Sequence, residues 1–296
     1  MQLIEATDAE KLERDVLAAS AWGRNLSTAQ FLAREAALRA HPFARTAMRT
    51  WLWRDDEVRS SCETFEVAAR RGAHTGRAFI VASVFTEPAF RGRGHAVAML
   101  SALGARLARD GALAVALFSE VRPTLYERCG FVAQPGFDVT FPSRAATPGV
   151  QWSDGLEAPP LRGDATALTL ELSSAQCAWH LERERFYATT LGRPAPTVHL
   201  ARRGDSRLAV AASFQRNELH VLWYDFREAA DAVALLEACA ALARACALPT
   251  VRVAEVTTLP LPSGARRVPR SDELPMVRAL DGGAALWADI HQGLWA

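Results

Sequence analysis

Val84-Phe85-Thr86-Glu87-Pro88-Ala89-Phe90-Arg91-Gly92-Arg93-Gly94-His95-Ala96 reads as a strand end, a glycine-bearing loop and a helix start. Before it, residues 78–86 are rich in apolar side chains. After it, Val97, Leu100, Leu103 and Leu107 fall on one helical face. The first amides of a helix lack partners within it, and the helix dipole adds partial positive charge, so the junction suits an anion such as a diphosphate. Gly92 and Gly94 allow close approach of the backbone and angles that other residues avoid. Ala96 is small where a larger side chain would collide with a ligand. Arg91 and Arg93 can add charge-assisted contacts, and His95 is expected to contribute its backbone, not an acid or base. No Gly-Lys-Ser/Thr follows, so this is not a Walker loop, and the glycine spacing is not that of the dinucleotide fingerprint.

Outward from the loop, residues 58–70 and 78–86 read as strands joined by a turn over 72–76. Residues 94–109 form a helix closed by Gly111. The continuous apolar run 113–118 suits a buried parallel strand. Residues 122–129 form a short helix ended by Gly130, and Phe131 opens another extended piece. Toward the N-terminus, Thr7-Asp8-Ala9-Glu10 and Ser27-Thr28-Ala29-Gln30 each have the form of a capping box before a helical stretch. Residues 45–54, rich in Trp and Thr, are expected to be a strand, with a turn at Asp55-Asp56. The sum is an α/β chain with a mixed sheet and one parallel crossover.

Pro142, Pro148, Pro159 and Pro160 cluster within 141–163, the best candidate for a domain boundary. Beyond it come a helix over 176–191, strands over 197–201, 206–214 and 219–226, a periodic helix over 228–246 and a strand over 251–256. Both halves run strands, helix, strand, which suggests a degenerate structural duplication. The division expected is 1–145, a linker 146–162, and 163–296.

The chain of 296 residues carries 34 basic and 33 acidic side chains, a formal net charge of +1. That balance argues against nucleic acid as a partner, which needs clustered positive charge. Lys11 is the only lysine. The five cysteines, Cys62, Cys129, Cys177, Cys239 and Cys246, form no Cys-x-x-Cys pair and suggest neither a disulfide framework nor a zinc site. No secretion signal and no membrane-length apolar run is visible, so a reducing, cytoplasmic setting is expected.

Arg91-x-x-Gly94-x-Ala96, between a strand and a helix, resembles the acetyl-CoA motif of the GNAT N-acetyltransferase superfamily. Leu125-Tyr126-Glu127-Arg128-Cys129-Gly130-Phe131 resembles that superfamily's Leu-Tyr-x-x-x-Gly-Phe signature. The resemblance implies a GNAT fold in the N-terminal half and a degenerate GNAT-like domain after it. It implies that the strand end Val84, Phe85 and Thr86 pairs with the pantetheine arm. Arg91, Gly92, Arg93, Gly94, His95 and Ala96 would then hold the diphosphate, and Tyr126 would protonate the departing thiolate. Ser119 stands where the superfamily often has Asn. A narrower resemblance, to the fungal lysine N6-acetyltransferase family, rests on Ser60-Ser61-Cys62-Glu63-Thr64, Val84-Phe85-Thr86, Leu117-Phe118-Ser119-Glu120 and Leu274-Pro275-Met276. It implies a small-molecule amine, lysine or lysine-like, as acceptor.

An incoming ammonium must lose a proton before it attacks. Glu120, at the end of the buried strand, and Glu63, on the adjacent sheet, are the candidates to receive it, with Glu63 also a candidate for binding the acceptor. Asp225, in Trp223-Tyr224-Asp225, is a candidate lining of an acceptor pocket between the halves. Cys129 and His180 are expected to be packing residues. No metal site is expected, and oligomeric state is not readable. The rival reading is a non-catalytic acyl-CoA-binding or protein-interaction module.

Overall fold

The computed structural model describes residues 1–146, 149–161, 166–255 and 258–295. Pro148 and Gly163 of the expected boundary, and Val256 at the expected strand end, lie outside these. Two mixed sheets form the frame. The first runs, in spatial order, Gln2–Glu5, Met48–Arg54, Val58–Arg71, His74–Thr86, Ala114–Ser119, Leu274–Ala279 and Val132–Ala133. The second runs Arg266–Pro269, Phe137–Pro142, Thr250–Glu255, Glu218–Asp225, Ser206–Ser213, Leu200–Arg203 and Gln151–Ser153.

Each sheet is built around one motif: an antiparallel hairpin, a helix, and a strand returning parallel to the hairpin. In the first half these are Val58–Arg71 with His74–Thr86, the helix His95–Arg109, and Ala114–Ser119. In the second they are Ser206–Ser213 with Glu218–Asp225, the helix Ala229–Ala245, and Thr250–Glu255. The duplication read from element order is therefore present in the topology.

The two halves exchange strands. Leu274–Ala279 lies between Ala114–Ser119 and Val132–Ala133 of the first sheet, and Phe137–Pro142 lies between Thr250–Glu255 and Arg266–Pro269 of the second. A cut at 146–162 thus does not separate the two sheets, because each needs a strand from beyond it. The two crossing segments are bonded together: the Gln134 amide donates to the Pro275 carbonyl at 2.8 Å and the Arg270 amide to Gly136 at 3.0 Å. Beside them Asp138 is paired with Arg252 and Arg270, both at 3.0 Å.

The helix His95–Arg109 lays Met99, Leu100, Leu103 and Leu107 on Phe79, Val81, Val115, Leu117 and Met276. Burying one leucine there is worth about 2 kcal/mol. On the opposite face a second core runs from Phe43, Phe65 and Ile80 through Trp179 to Leu222, Trp223 and Leu294, so apolar packing is continuous from one half to the other. No helix of the described residues is long and apolar enough to cross a membrane.

One local reading needs correction, and one strand was not foreseen. Residues 45–47, expected in a strand, end a short helix, Pro42–Ala47. Pro42 sits in its first turn, where the fixed φ suits a helix, and the His41 ring accepts from the Phe43 amide at 3.3 Å. The edge strand Gln2–Glu5 is too short for its pattern to register in the sequence.

A chain stopped at residue 145 leaves the first sheet without Leu274–Ala279 and Phe137–Pro142 without a partner. It is expected to show no cooperative thermal transition by circular dichroism, and co-expression with residues 146–296 should restore one. A second prediction concerns His180, buried on the helix Ser174–Leu191, whose Nε2 donates to the Gly293 carbonyl at 2.8 Å. Burial holds its pKa down to about 3, so it stays neutral in the fold. The unfolded chain takes up this proton near pH 6.5, so the contribution is complete above that and is lost as pH falls toward 3. His180→Gln should remove about one proton from the pH dependence of unfolding free energy between about pH 6 and pH 4, measured by urea titration.

Candidate active site

The loop after His74–Thr86 begins with a 3-10 turn, Pro88–Phe90, and Arg91 Nε donates back to the Thr86 carbonyl at 3.1 Å. Gly92 and Gly94 have φ of +76° and +80°, a left-handed conformation costly for residues with a Cβ. A Cβ built at either meets nothing within 4 Å. These glycines are therefore required for backbone angle, and the space above them is open. Gly94 is the N-cap of His95–Arg109, no side chain caps this helix, and its first turn holds no acidic residue. Arg91, Gly92, Arg93 and Gly94 are exposed, and the half-buried His95 sits edge-on to Phe90 at 6.1 Å.

Beside the loop the sheet opens. His74–Thr86 pairs with Ala114–Ser119 from Ala78↔Ala114 to Val81↔Leu117, and the pairing goes no further. On its other side the same strand bulges between Ala82 and Phe85, opposite Ser61 and Glu63 of Val58–Arg71, with Ser83 at φ +51°. Three bonds from one buried guanidinium hold this distortion. Arg14 Nη2 donates to the Ser83 carbonyl at 3.0 Å, Nε to Ser61 Oγ at 3.1 Å, and Nη1 to Glu63 Oε1 at 2.8 Å. Past the bulge the side chains alternate. Val84 faces the gap, Phe85 is buried against Trp22 at 5.8 Å, and Thr86 Oγ1 is 2.8 Å from Ser60 Oγ.

The gap leads into a cavity of 190 Å³. The first half contributes Val84, Phe118, Glu120, Tyr126 and Glu63 to its walls, and the second half contributes Trp179, Arg183, Gln215 and Trp295. Tyr126 is 8% exposed, sits edge-on to Phe131 at 6.1 Å, and has its pKa pushed up to about 12 by burial. Its phenol is thus fully protonated at neutral pH. Glu120 is exposed at the cavity mouth and bonded across the seam to Arg216 at 2.9 Å. Partial burial raises its pKa; the Arg216 charge opposes this, and Glu273 and Asp272 add to it. The shift moves a carboxylate toward the range where it accepts a proton at neutral pH.

Glu63 is 3% exposed, and its carboxylate is also 3.5 Å from Arg39. Burial alone would raise its pKa, but the charges of Arg14 and Arg39 overcome that and hold it lowered. Two guanidiniums thus make Glu63 a poor proton acceptor, which leaves Glu120 as the better placed of the two. Asp15, Glu35 and Glu63 offer oxygens within 4.8 Å of one another. Those carboxylates are already bonded to arginines: Asp15 to Arg39 at 2.5 Å, Glu35 to Arg34 at 2.5 Å, and Glu63 to Arg14.

Asp225 is not in this cavity. It lies at the far end of the strand Glu218–Asp225, buried and paired with Arg227 at 3.0 Å, in a shallow depression with Arg207. Eight residues of strand span about 26 Å, and the hairpin turn holding Gln215 is the end that reaches the cavity. Trp223 is core, 1% exposed. Ser119 is fully buried, its hydroxyl donating to the Val121 carbonyl at 2.7 Å to shape the turn before Tyr126. Cys129 is packed, with Sγ 3.6 Å from the Leu125 carbonyl.

Arg14, Arg39, Arg183, Gln215 and Trp295 belong to no sequence motif. The one available sign was on the helix Asp8–Trp22, whose buried stripe includes Arg14 and Asp15 where apolar residues are the rule. Removing the guanidinium should leave Glu63 and the Ser83 carbonyl without it. Arg14→Met is expected to cost about 3–5 kcal/mol in urea unfolding, the range for breaking a buried pair.

The sequence matches no protein-family profile and no curated protein. Solved structures share its fold. A GCN5-related N-acetyltransferase from Anabaena variabilis superposes with a TM-score of 0.58 at 14% identity, over 95% of this chain and 73% of that one. One from Kribbella flavida gives 0.53 at 18% identity, over 95% and 72%. A tandem GNAT protein from the clavulanic acid biosynthesis pathway gives 0.51 at 12% identity, over 96% of this chain and 99% of that one. With its two exchanged mixed sheets, the chain has a two-domain GNAT fold.

Proposed function

We propose that this protein is an N-acetyltransferase that moves acetyl from acetyl-CoA to a primary amine, with lysine or a lysine-like small molecule as the preferred acceptor. One juxtaposition carries the reading: an uncapped helix start with two left-handed glycines stands beside a parted pair of strands, and the gap opens on a cavity walled by Tyr126. The open space over Gly92 and Gly94 fits a diphosphate on the amides of residues 92–96. The gap past Val81 fits an extended arm along Val84, Phe85 and Thr86. The names of the structural neighbours, N-acetyltransferases, support the same class.

When bound, acetyl-CoA supplies an acetyl group as a thioester. Glu120 takes a proton from the acceptor ammonium so that its nitrogen can attack. Tyr126 holds its proton at Oη and directs it at the departing sulfur. A phenol near 12 is a weaker acid than a thiol near about 8.5, so its main contribution is a hydrogen bond that strengthens as charge builds on sulfur. At the matching place the described residues of the second half hold no comparable cradle: the helix Ala229–Ala245 follows Glu228, which has φ −125°, with no glycine in the turn. Its part is to shape the acceptor site. The fungal lysine N6-acetyltransferase likeness is supported by position, since Glu63, Val84, Phe118 and Glu120 line one cavity and Leu274–Met276 pair with Leu117–Ser119.

Acetyl-CoA should bind the wild-type protein in a calorimetric titration, and Gly94→Val should abolish the heat. Across a panel of amines, thiol release should depend on the acceptor. Tyr126→Phe should lower kcat by roughly 10²- to 10⁴-fold with little change in the affinity for acetyl-CoA. Binding without release for any amine would favour a non-catalytic acyl-CoA-binding module, and unchanged turnover of Tyr126→Phe across pH would remove that residue from its role.

A further inference from the structure

The cavity has one positive charge too many. Four arginines and three glutamates line it. Glu63 is bonded to Arg14, Glu35 to Arg34, and Glu120 to Arg216 from outside the wall, while Arg39 is bonded to Asp15 behind it. Arg183 is the lining charge with no carboxylate partner among the described residues. It projects from the helix Ser174–Leu191 of the second half and is held by aromatic faces, its guanidinium carbon 4.4 Å from the Trp179 ring centre and 5.0 Å from that of Trp295.

Stacking of this kind orients a guanidinium but leaves its N–H groups, which lie in its own plane, free for a carboxylate. Trp179 is itself fixed, its Nε1 donating to the Leu38 carbonyl at 3.0 Å. Burial, with the Arg34 charge added, pushes the Arg183 pKa down to about 10; the charges of Glu35 and Glu63 act the other way but do not make up for it. Arginine does not escape by losing its proton at neutral pH, so the deficit is met by an anion from solution. Gln215 lines the same wall and can add an amide donor.

Resting on the acetyltransferase reading above, we infer that Arg183 is a specificity residue: it binds a carboxylate carried by the acceptor, so that the substrates are small amines bearing a carboxylate. The cavity's 190 Å³ is below the roughly 300–1,000 Å³ of sites for drug-sized ligands, which disfavours polycationic sugars. A polycation would also meet an unpaired arginine. The amine end of the acceptor then lies toward Val84, Glu120 and Tyr126, and the carboxylate toward the wall supplied by the second half.

Lysine and cadaverine, the same diamine without the carboxylate, separate the possibilities. Calorimetric titration of each into the full-length protein without acetyl-CoA should favour lysine by roughly ten- to a hundredfold, the range for a charge-assisted pair. With acetyl-CoA present, the same preference should appear in kcat/KM. Arg183→Met should bring the two amines to near equality by weakening lysine alone, and Arg183→Lys, which keeps the charge but loses the fork, should restore part of the preference. Equal affinity in the wild type, or a lysine preference that survives in Arg183→Met, overturns the assignment. Loss of the preference in Arg183→Met together with its thermal transition would shift the decision to Arg183→Lys, where a retained lysine preference, partial or full, supports charge recognition and none overturns it. A carboxylate preference in binding with no acetyl transfer to any amine would instead fault the proposed reaction and leave the role of Arg183 intact.

Discussion

The parting of two strands at Val81 is the constraint on which the candidate site depends, and a single buried arginine holds the neighbouring distortion. A parallel pair gains a bond with each residue of overlap, so it separates only where something opposes the ladder. Here the opposition is the bulge at Ser83, whose left-handed φ costs about 1–2 kcal/mol in a residue with a Cβ. Arg14 meets that cost with three bonds, to Ser61, Ser83 and Glu63. The helix carrying Arg14 is therefore part of the sheet's geometry as much as a cover for it. Opening the sheet there sets an exposed backbone edge beside an uncapped helix start, and neither feature alone would make a site.

The exchange of strands explains where the cavity sits. Leu274–Ala279 and Phe137–Pro142 each complete the other half's sheet, so the halves cannot drift apart without breaking a ladder in both. A cavity walled by both halves is then framed by strand pairing that crosses between them. The charges at the seam follow the same logic. Arg216 joins Glu120 to Glu273 and Asp272, and Gln292 continues from Glu273 to Arg270 and Asp138. Glu120 is in this way coupled to the second sheet, although it belongs to the first.

Much of the frame was legible in the chain because it is written locally. Thr7 and Ser27 do form capping boxes, the stripe Leu100, Leu103 and Leu107 is buried, and Gly92 and Gly94 have the positive φ that their spacing suggested. The loop was readable for the same reason: helix starts and tight turns depend on a few consecutive residues, whereas Tyr126 was singled out only by the resemblance of its segment to a family signature. Asp225 was misplaced because strand polarity relative to a distant cavity has no local signature. Arg183, Gln215 and Trp295 were invisible because their meaning comes only from facing Glu120 and Tyr126 across the seam. The expected boundary at 146–162 marks a change of composition, but chain pairing crosses it.

Residue order alone was enough to indicate a strand–helix–strand motif in each half and a glycine-bearing turn opening a helix, since each arises from torsional preference or periodicity. Folding in three dimensions decided the exchange of strands, the parting at Val81, and the balance of charge in the cavity. Those are set by contacts between residues tens to hundreds of positions apart. The physical reason is that a ladder bond or a desolvated ion pair depends on what stands opposite, and the identity of that partner is a property of the fold.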